Sequence, residues 1–537
     1  MFMTKKTLKL MLVALLAIGM LLVGCSKSKD TSSNSKSSDD GSKKDTLVYG
    51  RGGDSTSLDP ITSTEGETFK ITINIFENLV AYGEQDTTLH PALAEKWDVS
   101  ADGLTYTFNL RQGVKFHDGT DFNADAVVYN FNRWMNGNSD DFPYYTMFGG
   151  FKGEEGHVIK EVKALDDHTV QFVLFRPQAP FLKNLAMSCF GIASPTAIEK
   201  YGDKFRDNPV GTGPFKFVEW KQNDRIVLEK NEDYWQKGYP KLNKLIFRVI
   251  PENSARLNAL KNGEIDVMDG LNNSDEAGVK SDSNLQVIKR PSMNVGYLGF
   301  QTTVKPFDNK LVRQALNYAI DKKAIIDAFY GGQAIPAVNA MPPAIEGYNE
   351  DVKDYPYNLE KAKALLKEAG YPNGFEMDLW AMPVARPYMP EGMKIAEVIQ
   401  ESFSKIGVKA KIQSVDWATY LDKAAKGEFP AYMLGWTGDN GDADNFLYTL
   451  LDKDSIGSNN YSFYSNDELH DILIQAQSEA DQSKRNELYK QAQVIIKDDA
   501  PWVPLVHSTP LLAGAKNMVN YLPHPTGSEA LTKVEFK

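Results

Sequence analysis

Cysteine is nearly absent, with Cys25 and Cys189 the only two in 537 residues, so no disulfide framework can hold this chain together. Cys189 sits inside the apolar stretch 187–192 and reads as a small buried hydrophobe rather than a reactive thiol. The seven histidines (His90, His117, His157, His168, His470, His507, His524) are scattered. None forms a His-x-x-His or His-Glu-x-x-His pair, which argues against zinc. No Gly-x-Ser-x-Gly elbow is present, and no nucleophile stands beside an evident base. Gly211-Thr-Gly-Pro lacks a following Lys-Ser or Lys-Thr and reads as a structural turn, so no cofactor is called for. Positive charge is also short: 59 Lys and Arg face 71 Asp and Glu, a net charge of -12. An acidic surface repels phosphate backbones and excludes nucleic acid as the natural partner. Together these absences move weight from an enzyme to a binding protein.

Long apolar runs are missing too, apart from Leu10 to Val23 behind Lys5, Lys6 and Lys9. That run is short for a membrane span and has the anatomy of a secretory signal. Leu22-Val-Gly-Cys25 resembles the bacterial lipoprotein signal, in which cleavage precedes the cysteine and its sulfur takes a diacylglycerol. The alternative is an uncleaved anchor. Residues 1–24 are thus expected to be a signal peptide. Residues 25–45 would be the lipidated Cys25 and a flexible linker, since 26–45 contain no apolar residue to offset the entropy of ordering. Either way the folded part lies outside the cytoplasm, tethered to a cell membrane.

The chain is too long for one ordinary core, so at least two domains are expected. After a strand at Leu47 and a turn-rich loop, a helix is expected from Phe69 to about Tyr82. Alternating segments such as Thr105–Leu110 and Val170–Leu174 have the period of half-buried strands. A helix at Ala124–Met135 has Asn123 as its cap. Asp140 to Tyr145 reads as an aromatic loop. From about residue 253 the pattern becomes helix, glycine, strand: Asn358 caps a helix that stops at Gly370, and Met393 to Lys405 is followed by Gly407 and a strand. Repeated units of this kind make the fold class α/β, and ligands in such sheets gather in loops beyond strand ends.

Two strand exits stand out. Gly435-Trp-Thr-Gly-Asp-Asn-Gly-Asp-Ala-Asp-Asn-Phe446 packs three carboxylates, three glycines and two aromatics into twelve residues. Met382-Pro-Val-Ala-Arg-Pro-Tyr388 places Arg386 between prolines. A guanidinium matches a carboxylate bidentately, and Pro387 biases Arg386 to extended backbone. Asp439 could hold an ammonium, with glycines letting the backbone approach a ligand. A calcium loop is disfavoured, because the sixth position from Asp439 is Asp444 and the twelfth is Leu450. Asp442 or Asp444 can also be read as turn or helix caps. A ligand bearing one ammonium and one carboxylate would satisfy Arg386 and Asp439 together.

These segments carry a resemblance. Leu93-Ala-Glu-Lys-Trp97, Gly211-Thr-Gly-Pro-Phe215, Asn294-Val-Gly-Tyr297, Val312-Arg-Gln-Ala-Leu316, Leu379-Trp-Ala-Met-Pro383 and Gly435-Trp-Thr-Gly-Asp-Asn-Gly441 resemble the peptide and nickel family of extracellular solute-binding proteins. These proteins feed ATP-driven (ABC) importers. The last two segments point to its dipeptide branch. The resemblance implies that Arg386 binds the ligand carboxylate and Asp439 its ammonium, that Tyr388, Trp436 and Gly435 line the pocket, and that Thr64-Glu65-Gly66 stands where relatives use a Thr-Ser-Gly turn against the peptide backbone. It further implies a periplasmic-binding-protein-like fold of two lobes with a third, β-rich subdomain. Lobe I would be 46–292 plus 509–537, with the insert at about 80–208, and lobe II 293–508. The implied protein is monomeric, is not an enzyme, captures dipeptides between its lobes and delivers them to membrane permease subunits. If Arg386 and Asp439 sit a fixed distance apart, selection is by ligand length. The family also leaves open longer peptides, haem, glutathione and metal chelates. A surface peptidase and an adhesin are the rivals of other classes.

Overall fold

The computed structural model describes residues 44–537. The expected signal, Cys25 and the linker as far as residue 43 lie outside the described residues. Two sheets organise the chain. The first has seven strands in the order Leu285–Lys289, Leu511–Ala515, Val267–Met268, Thr46–Arg51, Lys244–Val249, Arg225–Lys230 and Phe215–Lys221. Thr46–Arg51 runs parallel to both its neighbours. The second has six, in the order Ala334–Pro336, Trp502–Ser508, Asn294–Phe300, Ala431–Thr437, Glu376–Trp380 and Lys409–Gln413. Asn294–Phe300 and Trp502–Ser508 are buried along their whole length, as strands covered on both faces must be.

A separate four-stranded antiparallel layer, ordered Ala94–Val99, Thr105–Leu110, Thr169–Leu174 and Ile159–Asp166, has a core of its own. Along Thr105–Leu110 every second residue is buried, which the alternation of threonine with apolar side chains dictates. Phe108, Phe131 and Phe181 meet on Phe172 in edge-on contacts.

In the α/β region the helix stops lie where glycine puts them. Asn358 Oδ1 accepts from the Lys361 N–H at 2.9 Å at the start of Leu359–Glu368. Gly370, at φ +92°, ends that helix in a conformation costly for any other residue. One expected helix is different. The helix after the first loop is Gly66–Thr72, not Phe69 to Tyr82, and Val80–Tyr82 is a strand. Tertiary bonds take the backbone away from it. The Asn74 and Ile75 carbonyls accept from Phe215 and Gly213, and the Asn78 side chain donates to the carbonyls of Leu185 and Met187. Gly211 and Gly213 are needed there, because a Cβ on either would overlap the Ile75 backbone. The turn is therefore structural. Its Thr212 hydroxyl donates to Glu77, a half-buried carboxyl that also accepts from Tyr234 and Trp235 and is pushed up to about 7 by desolvation.

The chain passes between the two large sheets at 289–294 and again at 508–511, and the two crossings touch. The Arg290 N–H donates to the Pro510 carbonyl at 3.0 Å, and the Asn294 amide bonds Ser508 in both directions. Arg290 is 5 % exposed and is held by Glu529 and by Asp269, whose second oxygen takes Lys70 at 2.8 Å. Burial alone would raise the Asp269 carboxyl, but Arg290 and Lys70 outweigh it and hold it far below its usual range. Removing the guanidinium would leave the buried Glu529 carboxylate without its cation and Asp269 with Lys70 alone. Arg290→Ala is expected to lower the unfolding free energy by about 3–5 kcal/mol, measured by urea unfolding at pH 7. A loss below about 1 kcal/mol would show that water replaces the guanidinium there.

Candidate functional site

Strand Ala431–Thr437 links the two segments singled out in the sequence. At its centre Gly435 pairs with Gly296 of Asn294–Phe300. With no side chain at either position the ladder offers a bare strip, and Tyr388 lies on it. A Cβ on Gly435 would overlap the Tyr388 ring and one on Gly296 its carbonyl. Tyr330 donates to that carbonyl at 2.8 Å. Residues 386–389 form a tight turn, with Arg386 N–H to Met389 O at 3.1 Å and Met389 N–H to Arg386 O at 2.9 Å. The turn buries Tyr388 and leaves Arg386 exposed. The Arg386 guanidinium lies over the Trp417 ring, 5.5 Å from its centre. Burial pushes the Tyr388 phenol up to about 12, with Arg386 opposing.

Beyond the strand end the chain turns into 438–443 and then helix Asp444–Leu451. Asp439 is partly buried there and is surrounded by neutral donors. Tyr144 Oη donates to its Oδ1 at 2.9 Å and Asn445 Nδ2 to its Oδ2 at 3.1 Å. Asn445 Oδ1 in turn accepts from the Asp439 N–H at 2.8 Å and from the Trp436 indole at 3.1 Å. Trp436 therefore acts on the carboxylate through Asn445 and packs on the core with its ring. Among the described residues Asp439 has no ion-pair partner, and it forms none with Arg386. Burial pushes its carboxyl up to about 6, although Asn445 and Tyr144 stabilise the charged form.

Asp442 and Asp444 have other tasks. Asp442 takes Arg485 bidentately, Nη1 to Oδ2 and Nη2 to Oδ1 each at 2.7 Å. Burial would raise Asp442, but Arg485 and Lys183 bring it down to about 2. It also caps the Asp444 N–H at 3.0 Å, so a turn-capping role is present alongside the ion pair, and the cation held here is a side chain. Asp444, beside it, is pushed up to about 7 by burial and by Asp442, and accepts from Gln477. The four-stranded layer and its flanking loops touch this loop directly. Lys183 Nζ donates to the Gly441 carbonyl at 2.9 Å and Asn440 Nδ2 to Asn184 Oδ1 at 2.8 Å, and nearby the Ala179 N–H donates to Gln477 O of helix Asp467–Ser478 at 2.7 Å. Gly441, at φ +63°, lies so close to Thr87 that a Cβ would overlap it.

Thr64 and Gly66 are exposed. Glu65 is the cap of helix Gly66–Thr72: its Oε2 accepts from the Glu67 and Thr68 N–H groups, and its Oε1 from Thr56. Its carboxylate is thus spent on the helix start, while the neighbouring backbone faces outward. Sequence reasoning missed Tyr144, which joins this side to Asp439 through its ring contact with Phe69 of the same helix, 6.0 Å between centres. The signal was the aromatic loop at 140–145, which is a 3-10 turn Pro143–Phe148 opened by proline. Among the described residues one group, Asp452, Asp454 and His470, gathers three potential metal ligands. There His470 bonds Asp452 at 3.0 Å and Tyr448 donates to Asp454.

A match to the family described as bacterial extracellular solute-binding proteins, family 5 middle, covers residues 88–458. The chain is 43% identical to the dipeptide-binding protein of Escherichia coli over 92% of this chain and 95% of that protein. It is 39% identical to heme-binding protein A of Haemophilus influenzae over 96% and 97% of the two. Among solved structures it resembles an ABC transporter-associated periplasmic binding protein from Helicobacter pylori in complex with peptide STSA. That likeness has a TM-score of 0.81 and 38% identity, over 92% of this chain and 98% of that one.

The unpaired carboxylate has a consequence for stability. The folded-state value of Asp439, about 6, lies above the ordinary 3.8, so the folded chain binds the extra proton between those limits. The cost of ionising it is fully present above pH 6 and absent below 3.8. Asp439→Asn is expected to raise the thermal midpoint of the ligand-free protein by a few degrees at pH 7.5, and the gain should vanish near pH 3.5. An unchanged midpoint at pH 7.5 would mean that the carboxylate is well solvated.

Proposed function

The chain belongs to the bacterial extracellular solute-binding proteins of family 5, and on that premise we propose that it captures free dipeptides outside the cytoplasm and hands them to the permease of an ABC importer. The observation that carries this reading is the Asp439 carboxylate, partly buried among neutral donors with no cation beside it among the described residues. Such a group is costly unless something positive arrives, and a peptide's terminal ammonium is a cation of the right size. Arg386, exposed on the turn that Gly435 seats, offers the opposite charge to the terminal carboxylate. Strand Ala431–Thr437 connects the two traps through a rigid ladder, which supports selection by ligand length.

Tyr388 forms the wall between them, and the outward backbone at Thr64–Gly66 faces the peptide bond from the other side. The crossings at 289–294 and 508–511 act as the hinge, dividing lobe I (46–292 and 509–537) from lobe II (293–508). Contacts of Tyr144, Lys183 and Asn184 with 439–441 are those a closed clamp makes. Cys25, lipidated, would tether a monomeric receptor at the membrane, with 26–45 as its leash.

Calorimetry on the soluble domain tests this with Ala-Ala, N-acetyl-Ala-Ala, Ala-Ala amide, alanine, tetra-alanine, glutathione and haemin. The free dipeptide should bind best, and Arg386→Ala and Asp439→Ala should each weaken it at least about a hundredfold. The Helicobacter relative holds a peptide named by four residues, so tetra-alanine is the arm that decides the length limit. Equal binding of the blocked dipeptides would overturn the charge traps, and preference for haemin or glutathione would overturn the ligand class.

A further inference from the structure

None of Arg386, Tyr388 and Asp439 lines the open cavity of about 570 Å³ that forms where three segments meet at one end of the seven-stranded sheet. The segments are the loop that leaves strand Thr46–Arg51, the close of the 3-10 turn Gly202–Asp207, and the hairpin between Phe215–Lys221 and Arg225–Lys230. The wall of the cavity is fixed from behind. Arg51, 0 % exposed, donates from Nη2 to Asp54 Oδ1 at 2.7 Å. The same carboxylate takes the Trp220 indole N–H, 3.2 and 3.1 Å from its two oxygens, and the Asn223 N–H at 2.7 Å. One carboxylate thus holds both the indole ring and the hairpin tip, where Asn223 turns at φ +57°. Trp220 packs partly on the core of the sheet and is half-buried, so the rest of its ring lines the cavity. The Arg206 side chain donates to the Thr56 carbonyl, and its own carbonyl accepts from the Leu58 N–H at 2.8 Å, which joins the other two segments. The rim is free by contrast. The side chains of Asp207, Gln222 and Asn223 are exposed and have no hydrogen-bond partner among the described residues.

The chemistry of this lining selects a class of ligand. Asp54 is already paired with Arg51, and Asp207 is offset by its neighbour Arg206, so the cavity holds no uncompensated charge. A phosphate or an ammonium would give up its hydration there without gaining an ion pair. What remains is one flat aromatic wall and a rim that donates from Arg206 and the two amides and accepts at Asp207 and the same amides. A sugar ring has the complementary make-up. The C–H groups on its faces carry slight positive charge and suit the negative face of an indole, and each hydroxyl around its edge both donates and accepts. We propose that this cavity is a second binding site, for a neutral pyranose, with Trp220 as its platform and Asp207, Gln222 and Asn223 as the partners of its hydroxyls. The volume falls in the range of small-molecule sites and holds one or two such rings with bridging water. The site shares no residue with the dipeptide site, so it stands whether or not a dipeptide fills the cleft.

Saturation-transfer NMR on the protein tests this with methyl glucoside, N-acetylglucosamine, the tetramer of N-acetylglucosamine, a glucose phosphate and Ala-Ala. The neutral sugars should receive saturation through their ring C–H groups, most strongly on the face that meets the indole, and Trp220→Ala should abolish the transfer. Because Trp220 also holds Asp54, a second variant decides the matter if the first does not fold. Asp207→Ala combined with Gln222→Ala changes only exposed side chains and should weaken sugar binding about tenfold, the scale of two hydrogen bonds, with Ala-Ala affinity unchanged. A tighter grip on the tetramer than on the single ring assigns the site to a surface glycan, and an equal grip to a free sugar; either supports it. Absence of transfer to any neutral sugar at about 10 mM overturns the proposal. So does transfer that persists undiminished in folded Trp220→Ala or in the double variant. Preference for the glucose phosphate would make the cavity an anion site, and displacement of the sugar by Ala-Ala would put the sugar in the dipeptide cleft; each contradicts the proposal.

Discussion

A carboxylate withdrawn from water and given only neutral donors is half of an ion pair, and Asp439 is held in that state by everything around it. Asn445 bonds both its side chain and its backbone, and Trp436 fixes Asn445. The loop that carries it is bolted down one turn further by the bidentate Asp442–Arg485 pair, and Arg485 is itself held by the Ala476 carbonyl and Tyr489. The contrast between two aspartates three residues apart is informative. Arg485 draws Asp442 down to about 2, while burial without a cation lifts Asp439 to about 6. One charge is complete and structural. The other has no cation beside it among the described residues, and in the proposed reading the ligand's ammonium completes it.

The placement of Arg386, the other half of the proposed site, depends on absence of side chains. Gly296 and Gly435 face each other in the ladder, and the gap they leave seats Tyr388 and so the turn that displays Arg386. Arg386 and Asp439 thus both follow strands of the six-stranded sheet, and in the proposed reading the seven-stranded sheet and the four-stranded layer close on them. The crossings between the sheets are tied by Arg290 and Asn294. Lys70, in the helix that begins at the Thr64–Gly66 turn, shares Asp269 with Arg290. These charges therefore connect the helix after the Thr64–Gly66 turn to the crossings between the sheets.

Much of this was legible in the sequence because it is local. Asn358 followed by an apolar period and Gly370 defines a helix through capping and backbone freedom alone, and alternation at Thr105–Leu110 defines a strand face. Arg386 and Asp439 stood out because their residue types were unusual at strand exits. What escaped was settled by distant partners. The stretch after Thr72 has helical composition, yet Gly213 and Phe215, far along the chain, take its carbonyls. Tyr144 and Tyr145 are indistinguishable by type, and only the packing of Phe148 and His157 around Tyr145 leaves Tyr144 to face Asp439. Glu65 caps the helix that follows with its carboxylate, while the backbone on either side of it, at Thr64 and Gly66, is exposed.

The most direct test of the central claim is the number of protons released when Ala-Ala binds, obtained by titrating in buffers of different ionisation enthalpy at pH 6 and pH 8. If the ligand's ammonium completes an ion pair with Asp439, about half a proton should be released at pH 6, whereas at pH 8 the dipeptide's own amine, about half deprotonated there, should take up about half a proton. Binding at pH 6 with no proton released would contradict the account, because a carboxyl near 6 cannot accept a cation without giving up its hydrogen.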